Sequence, residues 1–294
     1  MQNYSIEKSD EGIDLSRDNV RGLELEIVQG LCRANKDAYF LPRDIKWYDE
    51  NVLNPMIQRG EISDGSRLGS FDDRKMRYDG SSLNLVNRSL KIRLGHSHFK
   101  DYIEKKKRSK EETQELVRLG LRHFNDPYSF FGRNPGVTGV VMTSDKKLII
   151  GERQVEKDMY EGLLQGVAGH LSYKQTPSDI KLEEEMLREI EEETGIKKTD
   201  VKKMGFLGVF SFTDVAGDDL DFCFLVDTNI HSEYFNSKEW KSHVKKPEHK
   251  EFLAIPNYRT LREMLDGKEY SGKRRDIVFS TRGALEEIKE RGFN

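Results

Sequence analysis

Apolar positions repeat along this chain in two rhythms, a short strand-like one and a longer helical one, and their punctuation changes near residue 130. Before that point Leu23–Val28 alternates as a strand, Asp44–Asn54 with Trp47 reads as helical, and the Gly/Ser/Asp-rich stretch Gly60–Ser70 breaks it. Arg74–Tyr78 and Leu90–Leu94 are further strands, and Leu116, Leu119, Leu121 and Phe124 follow a helical spacing. The segments Asn125-Asp126-Pro127 and Gly132-Arg133-Asn134-Pro135-Gly136 then stop regular structure on both sides, which predicts an α+β region over 1–130 and a second domain over 131–294. In that second part Val137–Met142 and Leu148–Arg153 form a hairpin around Thr143-Ser144-Asp145-Lys146-Lys147. A strand at Leu163–Val167 precedes a helix from Ser178 to Thr194, with Pro177-Ser178-Asp179 as its N-cap chemistry and Gly195 as its stop. Strands at Met204–Phe212, Leu220–Asp227 and Phe252–Ile255 follow, the first two joined by Ala216-Gly217-Asp218-Asp219. Helices at Tyr258–Leu265 and Thr281–Arg291 close the pattern. Strands interleaved with helices predict an α/β fold, layered α/β/α or α+β.

Composition narrows the class. The chain has 294 residues, 34% charged and 35% hydrophobic, yet with 15 Phe, 11 Tyr and 2 Trp it carries enough large apolar surface for packed cores. Its net charge is −3, from 49 basic and 52 acidic residues, so no global basic field favours duplex nucleic acid as a partner. Runs such as Phe222–Val226 fall far short of the about 20 apolar residues of a membrane span. Met1–Ser5 is unlike a signal peptide, and Cys32 and Cys223 read as ordinary thiols of a reducing, cytoplasmic compartment.

The chemistry concentrates in one helix. Between Glu183 and Glu193 lie seven carboxylates and one arginine, Arg188. Glu185, Glu189 and Glu193 stack at i,i+4 with Glu192 beside them, and Leu182, Met186 and Ile190 form an adjoining apolar stripe. Such like-charge pairs cost about 0.2–0.5 kcal/mol each on an isolated helix, so a ladder bordering a buried stripe calls for a positive partner. A divalent cation held by hard oxygen ligands is one, and Mg²⁺ characteristically combines a few carboxylates with phosphate oxygens. An acidic helical run is ordinarily a solvated face. Arg188, the apolar flank and the preceding Gly-bearing loop Gly166–Leu171, whose carbonyls can approach a metal, point away from that reading.

Arg188-Glu189-Ile190-Glu191-Glu192-Glu193-Thr194-Gly195-Ile196 resembles the second half of the Nudix box, R-E-aliphatic-x-E-E-x-G-aliphatic, at every specified position, and Gly169 resembles the glycine that opens the box. The first half departs: Gln175 stands where the box has glutamate, and the gap from there to Arg188 is five residues longer. The resemblance implies a Nudix α/β/α sandwich with an N-terminal α+β region, and metal-dependent hydrolysis of a diphosphate linking a nucleoside to another moiety, with Mg²⁺ or Mn²⁺ as cofactor. It implies Glu189, Glu192, Glu193 and the Gly169 carbonyl as metal ligands and Arg188 as the residue that holds the glutamates. Glu189 is the first candidate for the base that deprotonates water; Glu251 is the second, with an ordinary surface glutamate as its alternative.

Upstream, Arg74–Tyr78, the segment Ile92-Arg93-Leu94-Gly95-His96-Ser97-His98-Phe99-Lys100-Asp101-Tyr102, Gly139–Lys147 and Gly169-His170 resemble the Nudix subgroup of animal UDP-glucose pyrophosphatase and its plant relatives. That implies a UDP-sugar cleaved to UMP and sugar 1-phosphate, with Gly169 and His170 on the substrate side. ADP-ribose, a dinucleotide or coenzyme A are the alternative substrates, and a nucleotide sensor without catalysis or an RNA-processing protein are the alternative classes. Arg153 is a candidate for the substrate phosphates or for a salt bridge. Tyr160 and Phe212 are candidates to stack on a nucleobase, whereas Phe222 and Phe224 read as core. His96 and His98 read as surface or strand-edge residues rather than a metal pair, and Lys105–Lys110 as a solvated helix start.

Overall fold

The computed structural model describes residues 19–21, 23–28, 31–35, 40–42, 58, 74–84, 89–98, 108–128, 130–154, 160–172, 181–214, 217–244, 247–268 and 276–292. The chain forms two compact units, one of Met1–Asn134, Ser172–Ile180 and Thr213–Asp219, the other of Pro135–Leu171, Lys181–Phe212 and Leu220–Asn294. Among the described residues no helix is long and apolar enough to cross a membrane.

The first unit carries strands β1 (Asn19–Arg21), β2 (Leu23–Val28), β3 (Leu31–Asn35), β4 (Phe40–Pro42), β5 (Arg74–Asn84) and β6 (Ser89–His98). β1 pairs with β4, and the other four form an antiparallel sheet in the order β3-β2-β6-β5. β5 runs six residues past its predicted end at Tyr78, because a register shift between Tyr78 and Ser81 interrupts the alternation without ending the strand; Gly80 takes φ +108° there. His96 and His98 lie within β6, opposite Met76 and Arg74 of β5. Met76, Tyr78, Ile92 and Leu94 are buried, and the Arg133 guanidinium sits 4.6 Å and 4.8 Å from the ring centroids of Tyr78 and Tyr128. Helix α1 (Lys110–Phe124) starts on a reciprocal cap: the Glu112 N–H donates to Ser109 Oγ at 3.1 Å and the Ser109 N–H to Glu112 Oε2 at 2.7 Å. The predicted helix Asp44–Asn54, the break Gly60–Ser70 and Lys105–Lys107 lie outside the described residues.

The second unit carries β7 (Gly136–Met142), β8 (Leu148–Arg153), β9 (Leu164–Gln165), β10 (Val167–His170), helix α2 (Leu182–Thr194), most of β11 (Val201–Asp214) and of β12 (Gly217–Thr228), whose adjoining ends fall in the first unit, α3 (Lys238–His243), β13 (His249–Ile255), α4 (Tyr258–Leu265) and α5 (Phe279–Arg291). Its mixed sheet has the order β11-β12-β7-β8-β13, with β10 alongside β7 and β9 alongside β8. β12 runs parallel to β7; β8, β10 and β13 make antiparallel pairs.

Adjacent residues of β7 show how the layers stack, since successive side chains point to opposite faces. A side chain at Gly139 would meet Met186 of α2, whereas Thr138 Oγ1 lies 3.1 Å from Ser280 Oγ of α5. Helices α2 and α5 therefore cover opposite faces, an α/β/α arrangement. On the α5 side, Val140, Leu148, Ile150, Leu253 and Ile255 pack with Leu261 and Leu265 of α4 and Ala284, Leu285 and Ile288 of α5. On the α2 side, Phe222 and Phe224 of β12 register with Val137 and Gly139 and are buried, the core role predicted for them.

Several expectations change. The 166–171 segment predicted as a loop is largely strand β10, and the predicted strand Leu163–Val167 divides into β9 and the start of β10. Helix α2 begins at Leu182 rather than Ser178. Its N-cap, Lys181, is extended and makes no side-chain cap bond, and 177–179 lie outside the described residues. β11 and β12 extend past their predicted ends, so Gly217–Asp219 belongs to a strand rather than a turn. α3 is an addition: Ser237 caps it, and Trp240, its buried residue, sits too close to polar neighbours in sequence for so short a helix to show as a pattern.

Candidate active site

α2 is amphipathic in an unusual way: Leu182, Met186 and Ile190 are buried, but so are the glutamates beside them. Glu185 and Glu189 are each 8% exposed and Glu193 4%, while Glu183, Glu184, Glu191 and Glu192 face solvent. The helix ends where predicted, at Gly195 in the left-handed region with φ +76°. Its last carbonyls are taken up from outside: Tyr234 Oη donates to the Thr194 carbonyl at 2.9 Å and Trp240 Nε1 to that of Glu193 at 3.4 Å.

Arg188 organises the acidic face. Its Nε and Nη2 donate to Glu185 Oε2 at 3.3 and 3.2 Å, Nη2 to Glu189 Oε1 at 2.5 Å, and Nη1 to Glu192 Oε2 at 2.9 Å. One planar fork thus serves three carboxylates, which a lysine's single ammonium does not reproduce. Burial alone lowers the guanidinium's pKa, but Glu189, Glu192 and Glu185 outweigh it and raise it.

The Glu189 carboxylate lies against Gly169 of β10, so close that a Cβ at 169 would occupy the carboxylate's place. Burial, opposed by Arg188 and reinforced by Glu193 and Glu192, pushes Glu189 up to about 7. Glu193 is enclosed further. The Ala168 N–H of β10 donates to its Oε1 at 3.3 Å, and its Oε2 lies 2.7 Å from His249 Nε2, one proton bridging the two atoms. Burial and the nearby Glu248 raise its pKa well above the carboxylate range, against the pull of Arg153 and the Ala168 N–H. His249 moves the other way: burial and then Arg153, opposed by Glu248, lower it to about 3.

β13 delivers His249 by means of a bulge. His249 registers with Arg153 and Glu251 with Glu152, so Lys250 is the extra residue and the two flanking side chains point to opposite faces. His249 joins the α2 face. Glu251, the second base candidate, shares the other face with Leu253 and with Glu152. Arg153 takes the salt-bridge alternative, with Nη1 2.5 Å from Glu248 Oε2. His170 ends β10 opposite Gly136. Phe212 is 50% exposed and lies 5.9 Å from the Phe279 ring, and Tyr160 is half-buried at φ +58°.

The structure thus brings Glu185, Arg188, Glu189, Glu192 and Glu193 together with Gly169, and adds His249 and Glu248. Neither addition stood out in the sequence, because the bulge that turns His249 inward leaves no trace in residue type; the one hint is Gly151 inside an apolar strand, where a close approach is to be expected. Among the described residues no three His, Cys, Asp or Glu side chains converge into a closed ion cage. A hard cation nevertheless fits the donors present: all are carboxylate or carbonyl oxygens, buried Glu189 and Glu193 lack full countercharge, and Mg²⁺ takes few protein ligands and keeps its waters.

No protein-family model matches the chain, and no curated protein matches it. Among solved structures it is similar to the MutT protein of Methanosarcina mazei Go1, at 15% identity over 54% of this chain and 94% of that one, TM-score 0.37. It is similar to the protein DR0079 of Deinococcus radiodurans, at 14% identity over 55% and 83%, TM-score 0.35. It is also similar to an ADP compounds hydrolase, at 15% identity over 54% and 72%, TM-score 0.37.

Proposed function

We propose that the chain is a Nudix-type hydrolase that cleaves a nucleoside diphosphate-linked substrate, a UDP-sugar by preference, to UMP and sugar 1-phosphate, with 131–294 as its hydrolase domain. The observation that carries this reading is the Arg188 fork, which holds buried Glu185 and Glu189 and solvent-facing Glu192 of one helix together, the last two within the nine-residue motif, while Glu189 rests against Gly169. Surface acidity does not call for buried carboxylates, and a protein that only binds nucleotide does not need three of them clustered.

Glu189, Glu192 and Glu193, with the Gly169 carbonyl, are the residues that would hold Mg²⁺ or Mn²⁺. Such a cation offsets phosphate charge and favours a water nucleophile at neutral pH. Glu189 is the base: its carboxylate is buried against Gly169, within the acidic face that would hold the cation and its water. Arg188 keeps Glu189 and Glu192 oriented between turnovers. Because Arg153 already pairs with Glu248, it reaches substrate phosphate only by exchanging that partner.

A substrate panel with Mg²⁺, its products separated by chromatography, tests the reading. UMP release from UDP-glucose is expected. Turnover of ADP-ribose, dinucleotides or coenzyme A alone overturns the UDP-sugar assignment but keeps the hydrolase, and tight nucleotide binding without turnover of any member overturns both.

A further inference from the structure

We propose that His249 is a positioning residue for Glu193, fixing the orientation of that carboxylate and thereby setting the affinity of the site for its cation. The inference rests on the reading of α2 as the cation-binding helix.

Three features of the fold converge on this one imidazole. The bulge at Lys250 turns it to the α2 face. Gly151 of β8, directly beneath, leaves its place open: a Cβ there would collide with Nδ1, Cγ and Cε1 of the ring. The Phe252 ring packs against it, with ring centroids 4.9 Å apart. The result is a side chain with no solvent exposure, held in one pose.

In that pose the ring makes one polar contact among the described residues, from Nε2 to Glu193 Oε2 at 2.7 Å. Among the described residues Nδ1 is buried without a hydrogen-bond partner. A proton on Nδ1 would be an orphaned donor, the costlier kind of unpaired group, so the neutral ring carries its proton on Nε2 and donates it to Glu193. With the Ala168 N–H on Oε1, each carboxylate oxygen then receives one donor. A carboxylate oxygen has two lone-pair sites, so each keeps one for a cation while rotation of the group is blocked. Partners of this kind, one bond removed from the metal, are worth about 10–100-fold in metal affinity or activity.

The experiment is a Mn²⁺ titration of the full chain followed by electron paramagnetic resonance, on wild type, His249→Phe and His249→Gln, with thermal melting to establish that each folds. Phe fills the space over Gly151 and beside Phe252 without a donor; Gln restores an N–H near the position of Nε2. The expected result is a Kd for Mn²⁺ weakened by about tenfold or more in His249→Phe, and brought back to within about threefold of wild type in His249→Gln. Equal affinity in all three proteins overturns the proposal, as does equal weakening in both variants, which marks a packing role alone. Absence of Mn²⁺ binding by wild type overturns the functional reading together with it. Should His249→Phe not fold, wild type labelled with ¹⁵N-histidine decides: the His249 Nε2–H resonance shifts on saturation with Mg²⁺, and an unmoved resonance overturns the proposal.

Discussion

At position 169 a methyl group would land on the Glu189 carboxylate, the far end of a flexible side chain rather than fixed backbone. The consequence is specific. Gly169→Ala is expected to leave stability within about 1 kcal/mol, since a glutamate can swing aside, while displacing the proposed base by an ångström-scale distance. Misplacement of that size costs on the order of 10²-fold in rate. Steady-state kinetics beside a urea titration checks this, and undiminished kcat in a folded variant removes Glu189 from its proposed role. The arginine and glutamates of this site were readable one by one because side-chain chemistry is written in the sequence. His249 was not, because its importance comes from what Gly151 and Glu193 are doing at the same place in space.

For α2 as an element, the apolar stripe and the Gly195 stop follow from helical spacing and from the left-handed backbone that glycine accepts, so both were legible. Its anchorage is tertiary: Met186 is fully buried and fills the space left open by Gly139 of β7. Met186→Ala is expected to cost about 2–5 kcal/mol by urea denaturation. A cost well under 1 kcal/mol would mean that the helix is not anchored through this side chain. The hairpin β7–β8 also appears where its turn residues put it. What alternation alone misjudged were the interruptions: the register shift in β5 read as an end, the bulge in β13 went unseen, and β10 read as a loop because of its glycine. A bulge is a property of two paired strands, and one strand's sequence does not display it.

Taken as a whole molecule, the near balance of 49 basic and 52 acidic residues conceals the buried acidity of one helix. That burial has a thermodynamic signature. The folded-state value for Glu189 is raised from 4.5 to about 7, so the protonated carboxyl contributes stability that is fully present below about pH 4.5 and lost as pH rises through about 7. In chelator, wild type is therefore expected to lose stability relative to Glu189→Gln as pH rises from 4.5 to 8, with added Mn²⁺ stabilising wild type more at pH 8 than at pH 5. Parallel stability–pH profiles for the two proteins would refute the raised value. Comparison of the two profiles also sets aside His249, whose lowered value acts in the opposite direction and is common to both. The sequence by itself determined the motif, its helix, the flanking hairpin and the α/β class, since each depends on residue type and on spacing within a few turns or one strand pair. Only the tertiary structure decided that the glutamates are buried, that Glu251 turns away, and that Glu193 is held by His249. Desolvation and strand register arise between segments distant in the chain, where spacing along one segment carries no information.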